Sequence, residues 1–460
     1  MSYLPVSFPQ QPVAVAADMP MLLLDATSTE ESAAGNVSAL RIALLGYRSH
    51  PHVGGQGIYL HYLSKALVEL GHSVDVISGP PYPELDPRVR LIQLPSLDLY
   101  AHPHPTRALR LHHLRSFTDT YEWWSKLSGA FGEPYCFGRR LLNYVKTYKP
   151  AYDIIHDNQS LCYGLLDLQK RGYKVIATVH HPITRDRDLA LAAATDKGQR
   201  WLIQRWYNFL AMQQKVVQGL THLVTVSKQS RSDIVDAFRC DADKINVIPN
   251  GVDPRMFKPL PEVERKPLQL ITTASSDQPL KGLSILLRAL AQLVLEFPQL
   301  HLRVIGKLKE NGATEKELQQ LQLVDRVSFI SGISTEDVVR EYAQASIAIV
   351  PSLYEGFGLP AAEAMACGIP LICSDGGALP EVVGDAARLV NAGDVQSLVE
   401  ALRELLTNTA LCDDLSARGR AHIVQQLSWE CVGKQMVDYY HHCLSDRVTP
   451  AKSVSRYANY

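Results

Sequence analysis

The amino-acid sequence predicts a doubly wound α/β protein built as two successive domains of the same kind. Three observations carry this. Short apolar runs ending in polar residues alternate with longer stretches of helical periodicity. A glycine-rich turn, HPHVGGQG (50–57), joins the first apolar run to the first helical stretch. Segment 245–261, INVIPNGVDPRMFKPLP, holds four prolines and an Asn-Gly turn and reads as a strand end running into an interdomain linker, and beyond it the alternation begins again.

The first domain opens with RIALLGY (41–47), a run suited to a buried parallel strand. IYLHYLSKALVELGH (58–72) spaces Leu60, Leu63, Leu67 and Leu70 as one helix face, with Gly71 as a stop. SVDVISG (73–79) is the next strand and completes a βαβ unit. YDIIHDN (152–158), YKVIATVHH (173–181) and THLVTVSK (221–228) continue the sheet. After the proline-rich linker, LQLITTAS (268–275), LHLRVIGK (300–307), RVSFISG (326–332), ASIAIVPS (345–352) and PLICSD (370–375) read as strands. Helices are expected at 280–298, 395–408 and 431–445. The expected layout is two Rossmann-like domains facing across a cleft, with a C-terminal helix returning to the first. Their bounds are 41–250 plus 430–446, and 251–429. Ligands of such sheets sit at the carboxyl ends of the strands, so the interdomain cleft is the expected site.

Composition narrows the class. The chain has 460 residues, 46% hydrophobic and 20% charged, with a formal net charge of −1. That balance provides no bulk attraction to nucleic acid. No apolar run approaches the roughly 20 residues that span a bilayer. Eight cysteines form no CxxC pair, which argues for a reducing, cytoplasmic setting. Residues 1–40 lack a basic stretch ahead of their apolar residues. They read as a disordered extension or a start placed too early, and 447–460 as a flexible tail.

The chemistry concentrates in EGFGLPAAEAMACGIPLICSDGG (355–377). Pro360 suits the start of a helix and Gly368 its end, which puts Glu363 in the first turn and Glu355 in the loop before it. Gly356 and Gly358 leave backbone N–H groups open to a ligand. Amide donors at a helix start suit phosphate, and carboxylates suit the hydroxyls of a sugar or ribose. The block therefore reads as a clamp for a sugar nucleotide. A metal site is the poorer reading, because no further ligand lies at the right spacing. Glu363 acting only on its own helix terminus is the structural alternative.

These residues resemble the retaining GT-B glycosyltransferases of family 4, the glycosyl transferases group 1. The matching pieces are the E-x7-E block, VIPNGVD (247–253), ATVHH (177–181), VSKQSRSDI (226–234) and HVGGQGIY (52–59). They cover about 41–446 in family order. The resemblance implies transfer of a hexosyl unit from a nucleoside diphosphate sugar to an acceptor hydroxyl, without a metal or other cofactor. It implies that Glu363 holds the ribose hydroxyls and Glu355 those of the transferred sugar. Backbone N–H groups of Gly356, Phe357, Gly358 and Leu359 would meet the sugar and diphosphate. Lys281 would bind the diphosphate, Gly54 and Gly55 would approach it from the first domain, and His180 would lie near the reacting carbon. The base would rest near Gly306, Ile330 and Ser331. His50, His52, Gln56 and His181 are candidate acceptor contacts. An epimerase, a phosphorylase or an inactive sugar-nucleotide binder of the same fold is the alternative.

One departure stands out. Such proteins usually carry an arginine about six residues before the lysine, where this chain has Ser275. Lys307, Lys309 or Arg185 is expected to substitute. Two further stretches, HPHPTRALRLHHLRS (102–116) and RWLIQRWYNFLAMQQKVV (200–217), could touch lipid headgroups at the inner face of the membrane. The competing readings are a solvated insertion for the first and core packing for the second.

Overall fold

The computed structural model describes residues 39–51, 55–101, 104–274 and 276–445. The expectations for 1–38, His52, Gly54, Ser275 and 446–460 lie outside the described residues.

The first sheet has seven parallel strands. They are β1 (Arg41–Gly46), β2 (Ser73–Ser78), β3 (Arg90–Gln93), β4 (Ile154–Asn158), β5 (Val175–Thr178), β6 (His222–Thr225) and β7 (Ile245–Val247), in the order β3-β2-β1-β4-β5-β6-β7. The second has six: β8 (Gln269–Thr273), β9 (His301–Ile305), β10 (Val327–Ile330), β11 (Ile347–Val350), β12 (Leu371–Ser374) and β13 (Arg388–Val390). Their order is β10-β9-β8-β11-β12-β13. β1, β4, β5, β11 and β12 are buried along nearly their whole length, as continuous apolar runs in a parallel sheet require. Each sheet reverses its strand order at one point, β1/β4 in the first and β8/β11 in the second. A ligand crevice opens at such a switch.

The expected strands are all present. β7 falls at the head of segment 245–261, where a strand end is expected, while the unexpected β3 and β13 are four and three residues long and lie at sheet edges. Partial exposure there demands no apolar run, so the sequence carries little sign of them. The first helix runs Gly55–Glu69 and so begins three residues earlier than its apolar periodicity. The second half of the glycine loop is thus its first turn. Gly57 is the glycine that packing requires, since a Cβ there would stand 2.1 Å from the His50 carbonyl oxygen. At Gly55 the same atom would meet nothing within 4 Å.

The chain crosses between domains twice at one place. Val252 N–H donates to the Leu427 carbonyl (2.8 Å), and Trp429 N–H to the Val252 carbonyl (3.3 Å). Gly251 lets the crossings close, because a Cβ would sit 2.6 Å from the Trp429 ring. The tail helix Trp429–Ser445 then buries Val432, Met436 and Tyr440 in the first domain's core, with Gly433 packed on Ala66.

Candidate active site

A cavity of about 1720 Å³ lies between the two domains, lined from both. Among the described residues its walls hold two cations, Arg185 and Lys281, against nine Asp and Glu side chains. Such a cleft suits a polyhydroxylated ligand over most of its length. It can accept an anion only beside the cations and free amides.

Glu355 and Lys281 meet at the β8/β11 switch. Lys281 ends a short turn, Pro279–Lys281, and Glu355 lies five residues past β11. Gly282 brings the two together. Its φ of 66° and a would-be Cβ only 1.8 Å from the Pro351 carbonyl oxygen admit no larger residue. Leu353 N–H donates to the Leu280 carbonyl (2.8 Å), tying the two loops. Lys281 Nζ then donates to Glu355 Oε1 (2.8 Å), which also accepts from Ser352 Oγ (2.8 Å).

Helix Leu359–Ala366 follows, with Gly358 in a left-handed conformation (φ 99°) as its N-cap and Pro360 in its first turn. Glu363 is the fifth residue, one position past the first turn in which it is expected. The reason is that the helix starts at Leu359 behind its Gly358 cap, one residue before Pro360. Glu363 still faces the cleft. Burial raises its carboxyl to about 8, with no cation or hydrogen bond opposing the shift. Phe357 is buried in the second domain's core and anchors the loop.

The opposite wall rises from the β1/β4 switch and the end of β5. His180 Nε2 lies 2.7 Å from Asn158 Oδ1. The Asn158 amide nitrogen donates to the Gln56 carbonyl (2.9 Å), which turns its oxygen toward the histidine. The ring proton therefore sits on Nε2. His180 N–H donates to Gln159 Oε1 (2.7 Å), and the ring stands edge-on to Tyr59. Burial, with His181 beside it, lowers the His180 imidazole to about 3, so it is neutral at physiological pH. Burial also lowers His181, whose Nε2 is 3.9 Å from Asp186.

The domains touch at this level. The Gly356 carbonyl accepts from Ser227 Oγ (2.7 Å) and Ser230 Oγ (3.0 Å) across the cleft. Glu381 accepts from Lys228 N–H and Gln229 N–H. Arg185 lies over the Tyr354 ring at 3.9 Å, and the Tyr354 hydroxyl bonds Asp233. Of Lys307, Lys309 and Arg185, only Arg185 lines the cavity. Lys309 instead faces Asp277 at 3.9 Å.

Gly55, Gln56, His180, His181, Lys281, Glu355, Gly356, Phe357, Gly358, Leu359 and Glu363 all line the cavity. Gly306, Ile330 and Ser331 do not, and residues 332–336 form the wall there instead. Gly306 N–H is spent on the Ile330 carbonyl (2.7 Å), which holds these two at the strand ends. His50 is not a wall residue, whereas its neighbour Pro51 is. Asn158, Gln159, Ser227, Ser230, Tyr354 and Asp233 escaped the sequence reading. Ser227, Ser230 and Asp233 lie within the matching piece VSKQSRSDI (226–234), which gave them no individual role, and the others are polar or aromatic residues just at or past strand ends, most of which merely face solvent.

The family described as Glycosyltransferase Family 4 matches residues 53–255, and Glycosyl transferases group 1 matches 256–422. The chain is 44% identical over 414 residues to the MMP alpha-(1->4)-mannosyltransferase of Mycolicibacterium hassiacum, covering 88% of this chain and 99% of that one. It belongs to the GT-B glycosyltransferases of the group 1, family 4 type. A D-inositol 3-phosphate glycosyltransferase of Nocardioides sp. is 26% identical over 87% of this chain and 89% of its own. Among solved structures, sucrose-phosphate synthase from Thermosynechococcus elongatus superposes with a TM-score of 0.63 at 25% identity, covering 88% and 98%. Anabaena HepE in complex with UDP and glucose does so at 0.63 and 16%, covering 88% and 100%, a likeness of fold.

Proposed function

We propose that this glycosyltransferase moves a mannosyl unit from a nucleoside diphosphate sugar to a carbohydrate hydroxyl with retention of anomeric configuration. The Lys281–Glu355 pair beside the amide turn 356–359 carries the reading. It sets one cation and a row of N–H donors next to a carboxylate, in a cleft otherwise rich in acids. The 44% identity to an alpha-(1->4)-mannosyltransferase supports the sugar. An α-linked product from an α-linked sugar nucleotide is retention.

In this reading Lys281 and the amides of 356–359 take the leaving diphosphate, and catalysis is largely electrostatic. Glu355 accepts from sugar hydroxyls and Glu363 from the ribose diol. The base lies against 332–336. His180, neutral and carrying its proton on Nε2, borders the reacting carbon. The acceptor hydroxyl attacks from the face the diphosphate leaves, entering past Gln56 and His181. With the diphosphate charge met by Lys281 and amides, the transfer is proposed to need no metal, and turnover should survive EDTA.

The test is a screen of the purified chain against nucleoside diphosphate mannose, glucose and galactose donors of each base, with mannosides as acceptors. Product anomers are read by NMR. Mannosyl transfer giving an α product is expected. A β product, or preference for another hexose, overturns the reading.

A further inference from the structure

Helix Phe117–Leu127 is inside out. Its buried positions are Thr118, Glu122 and Ser125, while Phe117 is 61% exposed and Trp124 51%. Phe117, Tyr121 and Trp124 recur at helical spacing and their rings follow one another along the outer face, 5.9 and 6.1 Å apart. A helix on a soluble domain normally turns its apolar stripe to the core. Here the arrangement is reversed, and the outer face needs a cover.

The surface continues on both sides. The short helix Leu111–Arg115 presents Leu111, 86% exposed, and Leu114. Helix Lys197–Trp206 has no buried residue and presents Trp201 and Leu202. It is joined to the inverted helix by Arg205, whose guanidinium lies over the Trp124 ring at 5.1 Å and donates to Ser128 Oγ at 2.9 Å. Of thirteen large exposed hydrophobics among the described residues, seven fall on these three helices. A concentration of that kind marks an interaction surface, unlike scattered single residues.

Its charge selects the partner. Over 104–128 and 196–206 the chain has seven Arg and Lys against three Asp and Glu. All three acids are engaged: Asp119 and Glu122 bond Arg140, and Asp196 caps its helix through Gln199 N–H. Arg139 lies over Phe117 at 5.0 Å, as Arg205 does over Trp124, so cations ride on the aromatic rim. Aromatic and apolar side chains ringed by Arg and Lys match the headgroup boundary of an anionic bilayer. A symmetric pairing of two copies would instead set this basic rim against itself.

We propose that this face docks the N-terminal domain on an anionic lipid bilayer. The surface belongs to the two crossovers between β3 and β4 and between β5 and β6. The second crossover begins with the cleft residues His180 to Asp186, so docking would hold the cleft mouth near the membrane. The inference does not depend on which sugar is transferred.

The test is co-sedimentation of the full chain with phosphatidylcholine vesicles, with and without phosphatidylglycerol, alongside tryptophan emission. Binding with a blue shift is expected only on the anionic vesicles, and it should weaken with salt. The triple variant Leu114→Ser/Trp124→Ser/Trp201→Ser and, separately, Arg110→Glu/Arg115→Glu should each cut it about tenfold or more with circular dichroism unchanged. These side chains point outward, and the charge variant needs no loss of apolar surface. Wild-type chain left in the supernatant with anionic vesicles overturns the proposal, as does unaltered binding by both variants. A concentration-dependent dimer that the triple variant dissociates, without vesicle binding, would make the face a self-interface.

Discussion

Lys281 Nζ and Glu355 Oε1 are 2.8 Å apart across 74 residues of chain. In the free protein the lysine that would meet a diphosphate is therefore already neutralised. Arriving diphosphate must compete for it, and Glu355 is then released toward sugar hydroxyls. Lys281→Ala should weaken nucleoside diphosphate binding by about 10–100-fold, the worth of one charge-assisted bond. Glu355→Gln should leave that binding equal or tighter while lowering turnover by about 100-fold. Calorimetry and donor hydrolysis separate the two effects. Equal loss of binding in both variants would contradict the competition.

Glu363 supplies a pH dependence. Its carboxyl is raised to about 8 by burial, so it is protonated in the free protein at neutral pH. A ribose diol donates hydrogen bonds and favours the carboxylate. Binding then releases a proton, so affinity should rise with pH, up to about tenfold per unit, and level off above pH 8. Glu363→Gln should bind more weakly than the plateau and lose the slope. Isothermal titration in buffers of different ionisation enthalpy counts the proton directly.

Asn158 holds the His180 tautomer. Asn158→Leu removes the acceptor at Nε2 and the donor to Gln56. Turnover should fall by up to about 100-fold with KM nearly unchanged, as expected when a reacting-centre group is misplaced. His180 itself, held near 3, should add no titration to the rate profile above pH 5. A variant that lowers only the melting temperature would reduce Asn158 to a packing role.

Gly282→Ala tests the backbone that makes the site. The added Cβ would meet the Pro351 carbonyl oxygen at 1.8 Å in a left-handed conformation. A stability loss of about 1–3 kcal/mol or more is expected from denaturant unfolding. Donor affinity should fall with it, because Lys281 moves. Unchanged affinity in the folded variant would mean that the Lys281 turn adapts freely.

The long apolar strands, the glycine loop, the linker and the block 355–377 were all legible because each is written within a few consecutive residues. The short edge strands β3 and β13 were not, since three or four half-exposed residues carry no period. The helical start at Gly55 was hidden because its first three residues are Gly-Gln-Gly, which carry no apolar side chain. Helix Phe117–Leu127 was invisible for a different reason: its apolar stripe faces outward, so periodicity alone cannot assign its partner.

By itself the sequence determined the two-domain α/β architecture and which loops would line the interdomain cleft, because strand burial and turn geometry are local demands on residue type. Only the tertiary structure decided that Lys281 meets Glu355, that Asn158 orients His180, and that Ser227 and Ser230 hold the Gly356 carbonyl. Those pairs join residues 22 to 129 positions apart. Their meeting depends on how two sheets and a doubled crossover set the domains face to face, which no local pattern encodes.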